Sequence, residues 1–483
     1  MANLLVLGVG PLPFEHGDKL HAPGIRTWQI ARALAAEHHF VTLCVIEFGD
    51  FAQTGKTGPP PPAVRQDAGA NISLVKLVYH PEHSVQALRT LHLATRFAAV
   101  ISTTDIMNGI AADLGISVPL WLDYNGDPFA EKQLQARLYQ HDGSLLPQWE
   151  LYLKGLTAGD HFSVCSNPQR HALIGQLAFA GRLTAETSGE ELVSVIPNCS
   201  RVMSERTPKR AGTLKGKQIP ATAFLVLWSG GYNTWCDPEL LFRGLALAMQ
   251  QNEAIHFATT GGAIDGHDGK SFQLFRDLVD QSPLRDRFVF LGWVPTDEVA
   301  SYYEQADLAV FTDRYSVEGE LGTRTRLVDW LQFNVPVACT NLCEMTQELE
   351  ARKLIYSFRL GDAVEFSNVL LRAAADPQSL RDMAIRARQW LDSELNEAVA
   401  LRPLLNWAKA PQFAGDKHSD QQHNMPRSGL ARLLSSHFNH TSTTFETINE
   451  SATKRAPAPP GTGTDSSRGG FRSRLTKIFS RQK

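Results

Sequence analysis

ADLAVFTDRYSVEGELGTRTRLVDWLQFNVPVACTN, residues 306–341, is the stretch that decides the fold. It opens on a short apolar run at 308–311, the length of a buried parallel strand. A polar loop with Glu318 and Glu320 follows, then a helical stretch carrying Arg324, Arg326 and Asp329, and Val335-Pro336-Val337 begins another strand. Ligands of open α/β sheets bind beyond the carboxyl ends of the strands. Carboxylates and guanidiniums at such an end suit a phosphate-bearing sugar: acids for hydroxyls, arginines and helix-end amides for a diphosphate. A solvated helix with an ordinary charge pattern would read the same way.

Working outward, the second half of the chain repeats this alternation. Residues 224–228 form a strand that runs into the glycine-rich loop Ser229-Gly230-Gly231-Tyr232-Asn233-Thr234-Trp235, and Asp237-Pro238 opens a helix as cap and first helical residue. Strands at 255–259 and 288–291 end in Gly261-Gly262 and Gly292-Trp293-Val294-Pro295. A last strand at 354–360 precedes helices near 364–375 and 380–395 and an amphipathic segment near 397–408.

The first half has the same grammar. Residues 3–7 read as a strand ending in Gly8-Val9-Gly10, but Pro13 stands where a dinucleotide fingerprint needs its third glycine. A loop through Gly24 and Arg26 is expected to lead into a helix at 27–37; Gly24 and Arg26 either approach a phosphate or simply close a turn. Gly55-Lys56-Thr57 is not a phosphate loop, because Gly49 is misplaced and prolines follow. Leu120-Trp121-Leu122 leads into Asp123-Tyr124-Asn125-Gly126-Asp127-Pro128, where the two acids are either site residues or turn and cap formers. Ser166-Asn167-Pro168 caps a helix at 169–181, and 203–219 reads as a linker.

At 483 residues, two or three domains are expected. The net charge of −3 hides a basic end: from Phe413 onward there are eleven Lys/Arg against five Asp/Glu. The acidic remainder argues against nucleic acid as a partner. Six cysteines without paired metal-ligand spacing point to free thiols in a reducing cytosol. Residues 1–10 read as a first strand rather than a signal peptide, and no apolar run reaches the roughly 18 residues of a membrane span. Residues 413–483 are poor in apolar side chains and read as a disordered basic tail with short amphipathic islands at 430–438 and 471–479. The island at 471–479 would place Phe471, Leu475, Ile478 and Phe479 on one helix face among basic residues, a pattern for an anionic membrane surface or for a solvated tail.

On these residues the chain resembles the bacterial family-4-type (group 1) GT-B glycosyltransferases. WSGGYNTWCDP from Trp228, the Gly292–Pro295 segment, and Glu318 followed by Arg324, Arg326, Asp329 and Pro336 match one branch of that family, as does SNPQRHALIGQLAFAGRL from Ser166. The resemblance implies two Rossmann-like doubly wound domains facing a cleft: an acceptor domain at 1–205 and a nucleotide-sugar domain at 220–396. It also implies a helix at 397–412 that packs back on the first domain. It further implies a hexosyltransferase-like enzyme that moves a sugar from a nucleoside diphosphate sugar to a glycan or lipid-linked glycan, with retention. No cofactor or metal is expected, and no DxD-type motif stands in the right context. The enzyme would be cytoplasmic, peripheral at the inner membrane face if the tail docks there.

The family's usual Arg and Lys after the second-half glycine loop are replaced by Asn233, Thr234, Trp235 and Cys236. The resemblance therefore assigns the diphosphate to Arg324 and Arg326, and donor-sugar hydroxyls to Glu318. Asp329 is assigned to the ribose or the arginines, Asp123 or Asp127 to the place of the family's first-half histidine, and Gly230, Gly231, Trp235, Gly261, Gly262, Trp293 and Val294 to the donor. A nucleotide-sugar epimerase, or a non-catalytic GT-B partner subunit, are the alternatives.

Overall fold

The computed structural model describes residues 1–15, 20–48, 64–80, 83–143, 145–200, 212–264 and 266–417. Strands β1 (Asn3–Gly8), β2 (Phe40–Glu47), β3 (Val64–Gly69), β4 (Ile72–Val78), β5 (Ala99–Thr103), β6 (Leu120–Tyr124), β7 (His161–Val164) and β8 (Val193–Val195) form one sheet. Its order is β3-β4-β2-β1-β5-β6-β7-β8. Every pairing is parallel except β3 with β4, where a short connection at Gly69 allows an antiparallel edge. The central strands are apolar on both faces because helices cover both, which is why they read as continuous hydrophobic runs.

Strands β9 (Phe224–Ser229), β10 (Ile255–Thr260), β11 (Phe288–Gly292), β12 (Leu308–Phe311), β13 (Val337–Thr340) and β14 (Tyr356–Phe358) form a second, all-parallel sheet in the order β11-β10-β9-β12-β13-β14. In each sheet the chain winds outward in both directions from one strand. β1 has β2 on one side and β5 on the other, and β9 lies between β10 and β12. These are the topological switch points, where the loops beyond the strand ends diverge and leave a crevice. The loops after β9 and β12 are the Gly230-Gly231 loop and the stretch that holds Glu318.

Three local outcomes differ from expectation. The helix expected at 27–37 is Ala22–Ala36, with Pro23 in its first turn, where the missing N–H costs nothing. Gly24 is therefore helical, and a Cβ there would collide with the Pro11 carbonyl oxygen, so glycine lets this helix close on the loop after β1. Two helices, Pro128–Tyr139 and Leu145–Ala158, lie between β6 and β7, a stretch for which the sequence reading names no element. Of the stretch read as a linker, Leu214 and Ile219 are buried in the second core, and Gly212 and Leu214 donate to Ser301 and Gln305.

The chain returns to its first half at the end. Helix Arg402–Lys409 sets Leu404, Leu405 and Ala408 into the core under helix Ala22–Ala36, with Trp407 edge-on to Trp121. Residues 413–417, read as the start of the tail, belong to the first domain. Asp416 forms a buried two-pronged ion pair with Arg182, at 2.7 and 3.1 Å. The glycine-lysine loop at 55–57, both amphipathic islands and the rest of the tail lie outside the described residues. Among the described residues no helix is long and apolar enough to cross a membrane.

Candidate active site

The second-domain half of the cleft is built on touching glycine loops. Gly230 takes φ +86° and Gly261 φ +120°, left-handed values that favour glycine. A Cβ on Gly261 would strike the Gly230 carbonyl, so the loops after β9 and β10 can meet only as glycine. Tyr232 fixes the first loop from below, stacked at 4.5 Å on Trp228 with its N–H on the Gly262 carbonyl. Trp293 borders Gly231 and donates from Nε1 to Ala263 O at 3.0 Å; Val294 packs half-buried against the second core. Gly230, Gly231, Gly261, Gly262, Trp293 and Val294 thus share one wall.

Arg326 joins that wall. Its Nη2 donates to the Gly231 carbonyl at 2.6 Å and its guanidinium lies 4.6 Å over the Trp228 ring. Its Nη1 is buried and has no hydrogen-bond partner in the protein. The Thr234 hydroxyl on the same loop is likewise buried without a partner. Buried donors without partners are rare, and each one asks for an explanation. These two sit beside the backbone of a glycine loop, just where helix Thr325–Gln332 begins with no side-chain cap.

Arg324 does something else. Its Nε donates to Asp313 at 2.6 Å, and its Nη1 and Nη2 donate to the two oxygens of Glu318 at 3.1 and 3.0 Å. The fork also lies 5.2 Å over the Trp235 ring, and Arg324 is 4 % exposed. The sequence reading gave this guanidinium to a diphosphate; the structure gives it to two carboxylates. The reason is local: Arg324 is the N-cap residue and Arg326 lies in the first turn, so they leave the helix in different directions. Burial pushes the Glu318 carboxyl up to about 7, Arg324 working against that and Asp313 adding to it. Asp313 was missed in the sequence, although it stands just past the end of β12, the position that drew attention to Asp123. Glu320, two residues from Glu318, is exposed.

The first-domain acids are framework. Asp123 is fully buried and holds Arg26 through Nε at 3.0 Å and Nη2 at 2.8 Å, while accepting from Ser163 at 2.5 Å. Arg26 also donates to the carbonyls of Ile196 and Pro197, so its guanidinium is engaged inside the first domain rather than offered to a phosphate. Asp127 caps helix Pro128–Tyr139 by accepting from Phe129 N and Ala130 N, and its other oxygen accepts from Gln176. The cap-forming alternative is the one the structure realises, because Pro128 starts a helix whose first amides need an acceptor.

The two domains meet along this wall. Ser166 donates to the Leu321 carbonyl, Asn198 Nδ2 to Thr325 Oγ1 at 2.9 Å, and Asn167 to Glu344 at 2.8 and 2.9 Å. His21 lies edge-on to Trp293 at 5.9 Å. Asp329 lines a cavity of about 10 Å³ with Arg26, Gln29, Asn198 and Thr325, room for about one water.

With this geometry in place, comparison with known proteins is informative. Residues 213–390 match the family model described as "Glycosyl transferases group 1". A search of curated proteins returned no match. Among solved structures, sucrose-phosphate synthase from Thermosynechococcus elongatus superposes with a TM-score of 0.63 at 18 % identity, over 85 % of this chain and 99 % of that one. The Anabaena protein HepE, solved with UDP and glucose, gives 0.57 at 13 % identity, over 85 % and 100 %. An E. coli protein whose structure is titled "Trehalose-6-phosphate", bound with UDP-2-fluoro glucose, gives 0.60 at 11 %, again over 85 % and 100 %. The architecture is the GT-B fold, and the second domain carries the group 1 glycosyltransferase pattern.

Proposed function

From the group 1 pattern of residues 213–390, we propose that the chain transfers a sugar from a nucleoside diphosphate sugar to a hydroxyl of a glycan or lipid-linked glycan. The observation that carries the reading is Arg326: a guanidinium tied to the glycine-loop carbonyl and stacked on Trp228, with one buried donor edge unused. Charge that builds on a leaving diphosphate would be met by that edge, by the Gly230-Gly231 amides and by the start of helix Thr325–Gln332. Donors fixed before the reaction begins need no reorganisation when that charge appears. Neighbours solved with UDP and UDP-sugars on the same fold favour a UDP-sugar donor.

In this reading Asp313 and Glu318 hold Arg324 rigid over the Trp235 ring, and the remaining lone pairs of Glu318 receive donor-sugar hydroxyls. Asp329, Trp293 and Val294 would border the ribose and base. Arg26, Asp123 and Asp127 shape the first-domain face without touching substrate. Retention of configuration and independence of metal follow from the family resemblance, and the basic tail would bring the enzyme to the inner membrane face. Of the alternatives, the non-catalytic partner is favoured only by the presence of Asn233, Thr234, Trp235 and Cys236 where the family has its usual Arg and Lys, and nothing in the chain favours the epimerase.

The test is a panel of radiolabelled nucleotide sugars, scored for hydrolysis and transfer, with wild type and Arg326→Ala. We expect one donor to turn over and the variant to lose about 10²–10³-fold, the effect of removing one preorganised donor. No turnover and no nucleotide binding by wild type would refute the enzyme reading.

A further inference from the structure

The loop after β10 carries a histidine that the site as described leaves unused. Ile264 pairs with Asp268 in an antiparallel bridge, and Asp268 Oδ1 accepts from Lys270 N and Ser271 N at the head of helix Lys270–Asp280. This fold presents His267 to helix Pro128–Tyr139 of the first domain. Gln135 Nε2 lies 2.9 Å from His267 Nδ1, and Glu131 Oε1 lies 3.4 Å from the same nitrogen. Tyr139 donates to the His267 carbonyl at 3.2 Å, and Lys270 Nζ donates to the Leu138 carbonyl at 2.8 Å.

The tautomer follows from the neighbours. Lys132 Nζ can only donate, and it does so to Gln135 Oε1 at 3.0 Å; Gln135 Nε2 also reaches Glu131 Oε1 at 3.5 Å. The amide nitrogen is therefore the atom that faces the imidazole, which makes Nδ1 an acceptor and leaves the ring proton on Nε2. Burial, with Lys132 adding to it and Asp268 opposing it, lowers the basicity of the ring, so this neutral form prevails at neutral pH. Were the ring protonated against Glu131, Nε2 would still carry hydrogen. In both states Nε2 is a donor, and it is buried with no partner.

Its surroundings say what it would meet. The imidazole stands edge-on to Trp235 at 6.2 Å, and Trp235 lies under Arg324, which Glu318 grips. Glu131, beside His267, is close enough to contribute to the raised Glu318 carboxyl. His267 thus belongs to the Glu318 side of the cleft, and Trp293 and His21 form a separate contact.

We propose that His267 is a sugar-binding and specificity-determining residue: Nε2–H, aimed by Gln135 from the opposite domain, donates to a hydroxyl oxygen of a hexose held between the domains. The inference rests on the glycosyl-transfer reading. It also makes the contact conditional on closure, because the first domain sets the tautomer of a group on the second.

Two variants separate sugar binding from a merely structural latch. In His267→Asn the amide can still meet Gln135 but cannot reach the Nε2 position; in His267→Gln the amide nitrogen reaches that position. Calorimetric titrations use UDP, UDP-glucose, and glucose added to the UDP-saturated protein. UDP affinity is expected to be unchanged in both variants. His267→Asn should lose about tenfold, the scale of one hydrogen bond, on UDP-glucose if the donor sugar is the partner, or on glucose if the acceptor sugar is. His267→Gln should stay within about threefold of wild type. Equal weakening of both variants, UDP included, or no weakening of either, would overturn the proposal while leaving the glycosyl-transfer reading in place. Failure of wild type to bind any of the three probes would overturn both.

Discussion

Arg324 and Arg326, two residues apart, are expected to fail in opposite ways when replaced by alanine. Arg324→Ala leaves Asp313 and Glu318, 3 % and 8 % exposed, without the guanidinium that donates three hydrogen bonds to them. Removing one partner of a buried ion pair costs about 3–5 kcal/mol, because the remaining charge stays desolvated. At about 2–4 °C per kcal/mol for a domain of this size, the melting temperature should fall on the order of 10 °C. The loss should be smaller at pH 6 than at pH 8. Glu318 already titrates near 7 with Arg324 present, and without it the carboxyl takes a proton more readily. Arg326→Ala strands no carboxylate; it removes one carbonyl contact and a stack on Trp228, about 1–2 kcal/mol, yet should cut turnover about 10²–10³-fold. Thermal unfolding followed by circular dichroism, beside donor turnover, reads both effects. A double variant Arg324→Ala/Glu318→Gln should recover part of the lost stability, since one stranded charge is gone. If Arg324→Ala melts like wild type but no longer binds UDP, Arg324 is the diphosphate ligand and the division of labour drawn here is wrong.

Three further outcomes are expected. Glu318→Gln should cripple transfer while Glu320→Gln, on an exposed carboxylate, leaves it within about twofold; equal effects on turnover would mean that the loop is misread. The Glu318 carboxyl sits near 7 instead of 4.5, so its protonation stabilises the fold fully below about 4.5 and that stability is lost as pH rises through 7; Glu318→Gln should flatten the stability curve across that window, and an unchanged curve in urea titrations would contradict the burial argument. Asp416→Ala should destabilise the first domain by about 3–5 kcal/mol by leaving Arg182 buried and unpaired. For the same reason, truncation for liposome co-sedimentation belongs after Lys417. Full chain that stays in the supernatant over anionic liposomes at low salt would remove the membrane role of the tail.

What the sequence determined was local or periodic. Apolar runs of strand length alternating with helical stretches required parallel sheets covered on both faces. Ser166 before Asn167-Pro168, and Asp237 before Pro238, announced helix starts, because a cap and its amides lie within three residues of each other. The cluster of glycines, Glu318 and the two arginines was legible as a candidate site for the same reason: each lies just past a strand end, and strand ends share one edge of a parallel sheet. The divergence of Arg324 and Arg326 comes from the helix boundary between them, Arg324 being an extended N-cap and Arg326 helical. Only the tertiary structure decided which partner each charge takes. Arg26 meets Asp123, Arg182 meets Asp416 and His267 meets Gln135 across separations of 97, 234 and 132 residues. No spacing rule reaches that far. A side chain's hydrogen bonds are set by what the fold brings within about 3 Å, and that depends on the order of strands in the sheet and on how the two sheets close on each other. The sequence named Arg326 and passed over His267, and for neither could it say that a donor stays unused, because that depends on which neighbours the fold sets around each side chain.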